Sequence, residues 1–297
     1  MDPLDLIRVQ PLMEISSGSP DIRIGLIDGP VDYTHSAFES SKITAVKESQ
    51  LVACKESSSL ACRHGTFVAG ILAAKHGSGA PAICPDCALL LRPIFTEHGM
   101  FDSIRKDFLF PNATPEELSD AIVEVVNAGA NIINLSLGLS SSSLIMYDRL
   151  QEAYAYARRH GSIIVAASGN QGNIGNTSIL HDQWIIPVAA CDGYGRLASM
   201  SNFGHSIGIR GLMAPGININ STMSGGGYTK MSGTSFATPF VTGALALLWS
   251  IFPTATPAQL IYAIRVTRAS NQSSRSIVPP LLNAELIWRL LKAIVKV

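Results

Sequence analysis

Short apolar runs alternate with amphipathic ones along most of this chain. Residues 22–28 read Ile-Arg-Ile-Gly-Leu-Ile-Asp, a mostly apolar run closed by an acid, the pattern of a buried parallel strand that delivers a side chain at its carboxyl end. Four more runs, 88–95, 131–137, 162–168 and 184–190, predict strands of the same kind. Helical spacing occupies 65–75, 115–128 and 144–160. The second of these opens on Thr114-Pro115-Glu116-Glu117, which supplies a cap, a proline at the first helical position and two first-turn acids. Strands alternating with helices predict an α/β fold of three layers, a mainly parallel central sheet flanked by helices. Ligands of such sheets gather beyond the carboxyl ends of the strands, so Asp28 and the loops after 137 and 168 are expected to face one crevice. Toward the C-terminus, 236–250 reads as a helix, and 283–297 sets Glu285, Arg289, Lys292 and Lys296 on one polar stripe of an otherwise apolar helix. That last helix is expected to pack on its own domain.

Composition narrows the function classes. With 47% hydrophobic residues, 297 residues can bury a large core. No internal repeat or linker interrupts the chain, since Ser57–Ser59, Ser140–Ser143 and Gly225–Gly227 read as surface loops. One domain over 1–297 is expected, with a core at about 20–252 and a helical C-terminal segment at about 253–297. Charged residues are only 15% and cancel to zero, which leaves no broad field for nucleic acid or an anionic membrane. The apolar stretch at Ala244–Trp249 falls short of the roughly 20 residues that span a bilayer and reads as a buried helix. The opening Met1-Asp2-Pro3-Leu4-Asp5 lacks the basic and apolar regions of a secretory signal, so a cytoplasmic location is the expectation. Nothing in the sequence sets an oligomeric state.

Three segments carry the chemistry: Asp28-Gly29-Pro30-Val31-Asp32, His64-Gly65-Thr66-Phe67-Val68-Ala69-Gly70 and Ser232-Gly233-Thr234-Ser235-Phe236-Ala237-Thr238-Pro239. In this order, with Ala166-Ala167-Ser168-Gly169-Asn170, Ser201-Asn202-Phe203-Gly204 and Ala214-Pro215-Gly216, they resemble the subtilisin-like serine proteases, the subtilase family. The resemblance covers roughly 20–252 and implies a catalytic triad of Asp28, His64 and Ser235. A serine hydroxyl needs a base to take its proton as it attacks a carbonyl, and the base needs a buried carboxylate to fix its tautomer. A serine at the start of a helix also aims backbone N–H groups at the developing oxyanion. Asn170 matches the asparagine whose amide donates to that oxyanion. Substrate binding in the family resembles strand addition, which assigns Leu135, Ser136, Leu137 and Gly138, with Ala167, Ser168 and Gly169, to the substrate cleft. The pocket floor is expected within 174–182. His76, His98, His160, His181 and His205 read as structural or solvated, and Asp32 as a turn residue rather than half of a carboxylate pair.

The chain departs from the family at two places beside the triad. Phe67 stands where a second histidine is frequent, and Phe236 where methionine is common. The stretch Ala74–Pro81 carries no carboxylate, unlike the calcium loop of many secreted members, so no metal and no other cofactor is expected. Cys54, Cys62, Cys84, Cys87 and Cys191 leave open a zinc site from the first four, disulfides among those four, or free thiols. Residues 97–114 read as a surface insertion or as a loop bordering the cleft. The segments Leu26–Asp32, Cys62–Thr66 and Arg92–Phe95 are also similar to subtilases of cyanobactin-type peptide maturation, which implies a precursor peptide as substrate. Macrocyclising relatives carry a helical insertion between aspartate and histidine, and the short stretch 29–63 favours hydrolysis. The rival functions are a transpeptidase or macrocyclase on the same scaffold and a non-catalytic peptide-binding module.

Overall fold

Among the described residues, seven parallel strands build the central sheet of the computed structural model: β1 (Arg23–Asp28), β2 (Ile43–Ala45), β3 (Ala88–Pro93), β4 (Ile132–Leu135), β5 (Ile163–Ala167), β6 (Ile185–Cys191) and β7 (Leu212–Pro215). Residues 1–46, 53–95, 97, 101–102, 107–108, 113–137, 148–175, 180, 182, 184–269 and 276–295 are described. The strand order is β2-β3-β1-β4-β5-β6-β7, so the chain leaves β1 toward one edge and later returns to add strands on its other side. The carboxyl end of β1 is therefore the switch point where a crevice opens, and Asp28 sits at that end.

Side chains alternate between two cores. Ile24, Leu26, Ile132, Val165 and Val188 face one side, and Ile27, Ile133, Ile164 and Ala189 the other. Both faces are covered, so the strands read as continuous apolar runs rather than alternating ones. Helices α1 (Leu60–Ala73), α4 (Thr234–Ile251) and α6 (Ala284–Ile294) lie on the first face, and α2 (Pro115–Asn127) and α3 (Asp148–Arg159) on the second. Helix α4 is long and apolar enough to cross a membrane by length and composition, but it is apolar all round because 83% of it is buried inside the protein. Helix α6 buries Ala284, Ile287 and Leu291, as expected of a helix packed on its own core; Lys296 of the predicted stripe lies outside the described residues.

The predicted elements recur with shifted ends. Helix α1 begins at Leu60 rather than 65 because the Ser59 hydroxyl accepts from Cys62 N–H and caps it there. Helix α2 starts on the full capping box of Thr114 and Glu117. Of the predicted helix 144–160, residues 144–147 lie outside the described residues. Strands β2 and β7 are not among the predicted runs; β2 has only three residues, too few for a period to register in the sequence. Helix α5 (Pro257–Ala269) was not predicted, although Thr256 and Gln259 exchange the hydrogen bonds of a capping box at its start.

Candidate active site

Asp28 is fully buried, and its Oδ1 accepts from His64 Nδ1 at 2.6 Å and from Gly29 N–H at 2.6 Å. The strand end and helix α1 come this close because both carry glycine at the crossing. A side chain on Gly65 would meet the Gly29 and Pro30 carbonyl oxygens at 2.5 Å, and one on Gly29 would strike the Ala61 carbonyl. The Asp-Gly and His-Gly pairs of the sequence are thus one backbone contact seen from its two sides. With Nδ1–H committed to the carboxylate, a neutral His64 presents Nε2 as an acceptor. Asp28 Oδ2 has no hydrogen-bond partner among the described residues. Asp32 behaves as a turn residue: Oδ1 accepts from the Thr34 hydroxyl at 2.6 Å and Oδ2 from Gly225 N–H at 2.8 Å. Burial opposes its ionisation, but these bonds outweigh that and hold the carboxyl below its usual range.

Ser235 is the second residue of helix α4, where a backbone N–H has no carbonyl within its own helix. Asn170, after β5, is tied to the same helix start. Its Oδ1 accepts from Thr234 N–H at 2.9 Å and from the Thr234 hydroxyl at 3.0 Å. The amide nitrogen is thereby turned the other way, 3.5 Å from where a Gly233 side chain would begin. The loop bearing Asn170 turns at Gly169, whose φ of +103° favours glycine and whose missing side chain would collide with the Asn202 amide. Asn202 accepts from Gln171 and Asn173 N–H through Oδ1 and donates to Ser168 O and Gln171 Oε1. In the sequence Ser201-Asn202-Phe203-Gly204 is only a signature; the structure makes Asn202 the buried pin of the loop that carries Asn170.

The residues assigned to the cleft divide by direction. Leu135 and Leu137 lie in the core on the α2 and α3 side. The hydroxyls of Ser136 and Ser168 point inward, to Ser235 O at 2.7 Å and Asn202 O at 3.0 Å. Strand pairing of β4 ends at Leu135, so Ser136 and Leu137 continue past the paired sheet. Ala167 is buried at the end of β5, beside the half-buried Gly169. Gly138 lies outside the described residues, as do 176–179 and 181 of the expected pocket floor, His98 and His181. Of 97–114, the described part includes a two-stranded pairing of Phe101–Asp102 with Asp107–Phe108.

The two departures from the family pattern touch each other. The Phe67 and Phe236 rings stand 4.6 Å apart, and the Phe236 ring is 5.2 Å from the His64 imidazole. They form one apolar backing to the histidine, so a change at one position constrains the other. No thioether follows Ser235, and dilute peroxide is expected to leave activity largely intact; rapid loss in a peptidase assay would contradict this. Cys54 and Cys62 are joined by a disulfide, with Cα atoms 5.6 Å apart, which removes both thiolates from the zinc reading. Cys84, Cys87 and Cys191 are free and buried, and burial pushes the Cys191 thiol up to about 12.

The parallel sheet brings a buried acid and its imidazole to the same edge as a helix-borne serine, an arrangement of the kind that serine peptidases use. The model of the subtilase family matches residues 19–278, and the chain belongs to that family. It is 34% identical over 239 residues to the thermophilic serine proteinase of Bacillus sp. (strain AK1), covering 80% of this chain and 54% of that protein. The chain thus spans about half the length of that relative. Among solved structures, a variant of the protease domain of PatA superposes with a TM-score of 0.81 at 30% identity, covering 93% of this chain and 97% of the other. The prenylagaramide maturation protease PagA gives 0.80 at 28% identity, covering 96% and 98%.

Proposed function

We propose that the chain is a serine endopeptidase in which Ser235 attacks a peptide carbonyl and His64 Nε2 takes its proton. Asp28 would hold Nδ1–H and stabilise the imidazolium that forms. The oxyanion of the tetrahedral intermediate would be met by Asn170 Nδ2 and the Ser235 N–H, both at the start of helix α4. His64 would then protonate the leaving amine, and water would hydrolyse the acyl-enzyme. The observation that carries this reading is the 2.6 Å contact of His64 Nδ1 with the buried Asp28, at the edge where Ser235 opens helix α4.

As substrate we propose a peptide in extended form laid beside Ser136 and Leu137, and more narrowly a precursor peptide cut between leader and core. The likeness to PagA, described as a maturation protease, supports the narrower reading. The mechanism needs no metal or organic cofactor, and no nucleic acid or membrane takes part in it. Hydrolysis and ring closure differ in product mass, since only hydrolysis adds a water.

The test is intact mass after treatment with a fluorophosphonate. A single adduct on the native protein that is absent from Ser235→Ala is the expected result. Folded native protein that takes no adduct would favour the peptide-binding module instead.

A further inference from the structure

Helix α4 contains Pro239, four residues after Ser235. In a helix the carbonyl of residue i accepts from the N–H of residue i+4, and proline has none; its ring also pushes that carbonyl aside. The earlier carbonyls of this turn find partners, Gly233 O from Ala237 N–H at 3.3 Å and Thr234 O from the Thr238 hydroxyl at 2.8 Å. The carbonyl that Pro239 orphans is that of Ser235. It is taken up from outside the helix by the Ser136 hydroxyl, which donates to it at 2.7 Å.

Ser136 is itself held. Its side chain is almost wholly buried, and its Oγ accepts from Asn134 Nδ2 at 2.8 Å, while Asn134 Oδ1 accepts from the Thr242 hydroxyl at 2.8 Å. A chain of buried hydrogen bonds therefore leaves helix α4 at Thr242, crosses the end of β4 and returns to the same helix at Ser235. Each polar atom along it depends on the next for its partner, which makes the path stiff. We propose that Ser136 is a positioning residue for the nucleophile: its hydroxyl replaces the helical bond that Pro239 removes and fixes the backbone angle from which the Ser235 side chain projects. The segment beside which substrate is proposed to lie is thus linked by one bond to the residue that attacks it. This inference rests on the serine-peptidase reading.

The experiment compares the rate of fluorophosphonate labelling at Ser235 in wild type, Ser136→Ala, Pro239→Ala and the double variant, with thermal melts as the folding control. Ser136→Ala is expected to label about tenfold more slowly, since a small misplacement of a reacting group is costly to rate and a buried carbonyl has lost its donor. Pro239→Ala restores an N–H at the helical donor position, so the double variant is expected to recover most of that rate. A purely packing role for Ser136 would not be rescued by a backbone N–H on another element. Should Ser136→Ala melt below the assay temperature, Ser136→Cys fills the same space with a weak donor and carries the same comparison. Unchanged labelling in the folded serine-136 variant, or a double variant as slow as the single one, overturns the proposal alone. Wild type that takes no label overturns the peptidase reading, and the proposal with it.

Discussion

Asp28→Asn is expected to lower kcat on a peptide substrate about 10⁴-fold while leaving KM and the melting temperature close to wild type. The asparagine keeps the shape of the carboxylate at the end of β1 and can still accept from Gly29 N–H. What it loses, in the proposed mechanism, is the charge that offsets the imidazolium formed when His64 takes the serine proton. If its amide nitrogen turns toward the ring instead, it donates to Nδ1 and gives up the bond from Gly29 N–H, since in Asp28 the one oxygen Oδ1 takes both; the imidazole proton then stays on Nε2, the atom proposed to accept from Ser235. Because Asp28 and His64 are both buried, water cannot stand in for the missing charge. Steady-state kinetics with the melt as control checks this, and near-normal turnover in a folded variant would remove Asp28 from the triad.

Asn170→Asp is expected to lower kcat about 10²- to 10³-fold, again with little change in KM. Here the geometry separates two roles that alanine would remove together. Asn170 Oδ1 caps the first N–H of helix α4, and Asn170 Nδ2 is the proposed donor to the oxyanion. An aspartate keeps the cap, and its charge is favourable at a helix N-terminus, so the melting temperature is expected to hold or rise. The same charge opposes a second negative charge forming beside it. Asn170→Ala should lose rate to a similar extent and also about 1 kcal/mol of stability with the cap. Stability and kcat falling in parallel in both variants would mean that Asn170 only holds the helix start.

The two predictions differ in how far their residues could be read in advance. The place of Asp28 was legible from the pattern, as an acid closing an apolar run at the carboxyl end of a predicted parallel strand, and its pairing with His64 through the resemblance. His64, Ser235 and Asn170 were legible through the resemblance, because they stand in short contiguous motifs. Ser136 was assigned to the cleft on the same ground, and its hydroxyl turned out to face the nucleophile helix. Asn202 stands in the sequence only as part of a signature, and its role as the pin of the Asn170 loop is visible only in the structure. Phe67 and Phe236 are two separate departures in the sequence, and the structure packs their rings on each other, with Phe236 against the His64 ring.

Periodicity and end signals are local properties, and they were enough for the sequence by itself to determine the three-layer α/β fold, five of the seven strands, the caps of α2 and the burial of the apolar helix after Ser235. A short edge strand such as β2 escapes because three residues carry no period. Only the tertiary structure could decide which polar group answers which. Ser136 and Ser235 are 99 residues apart, Asn134 and Thr242 108 apart, and no spacing rule joins them. Pro239 announces in the sequence that one carbonyl will lack its helical partner, but the donor that replaces it is chosen by the approach of β4 to helix α4, where a buried carbonyl must find a hydrogen bond within reach or raise the free energy of the fold.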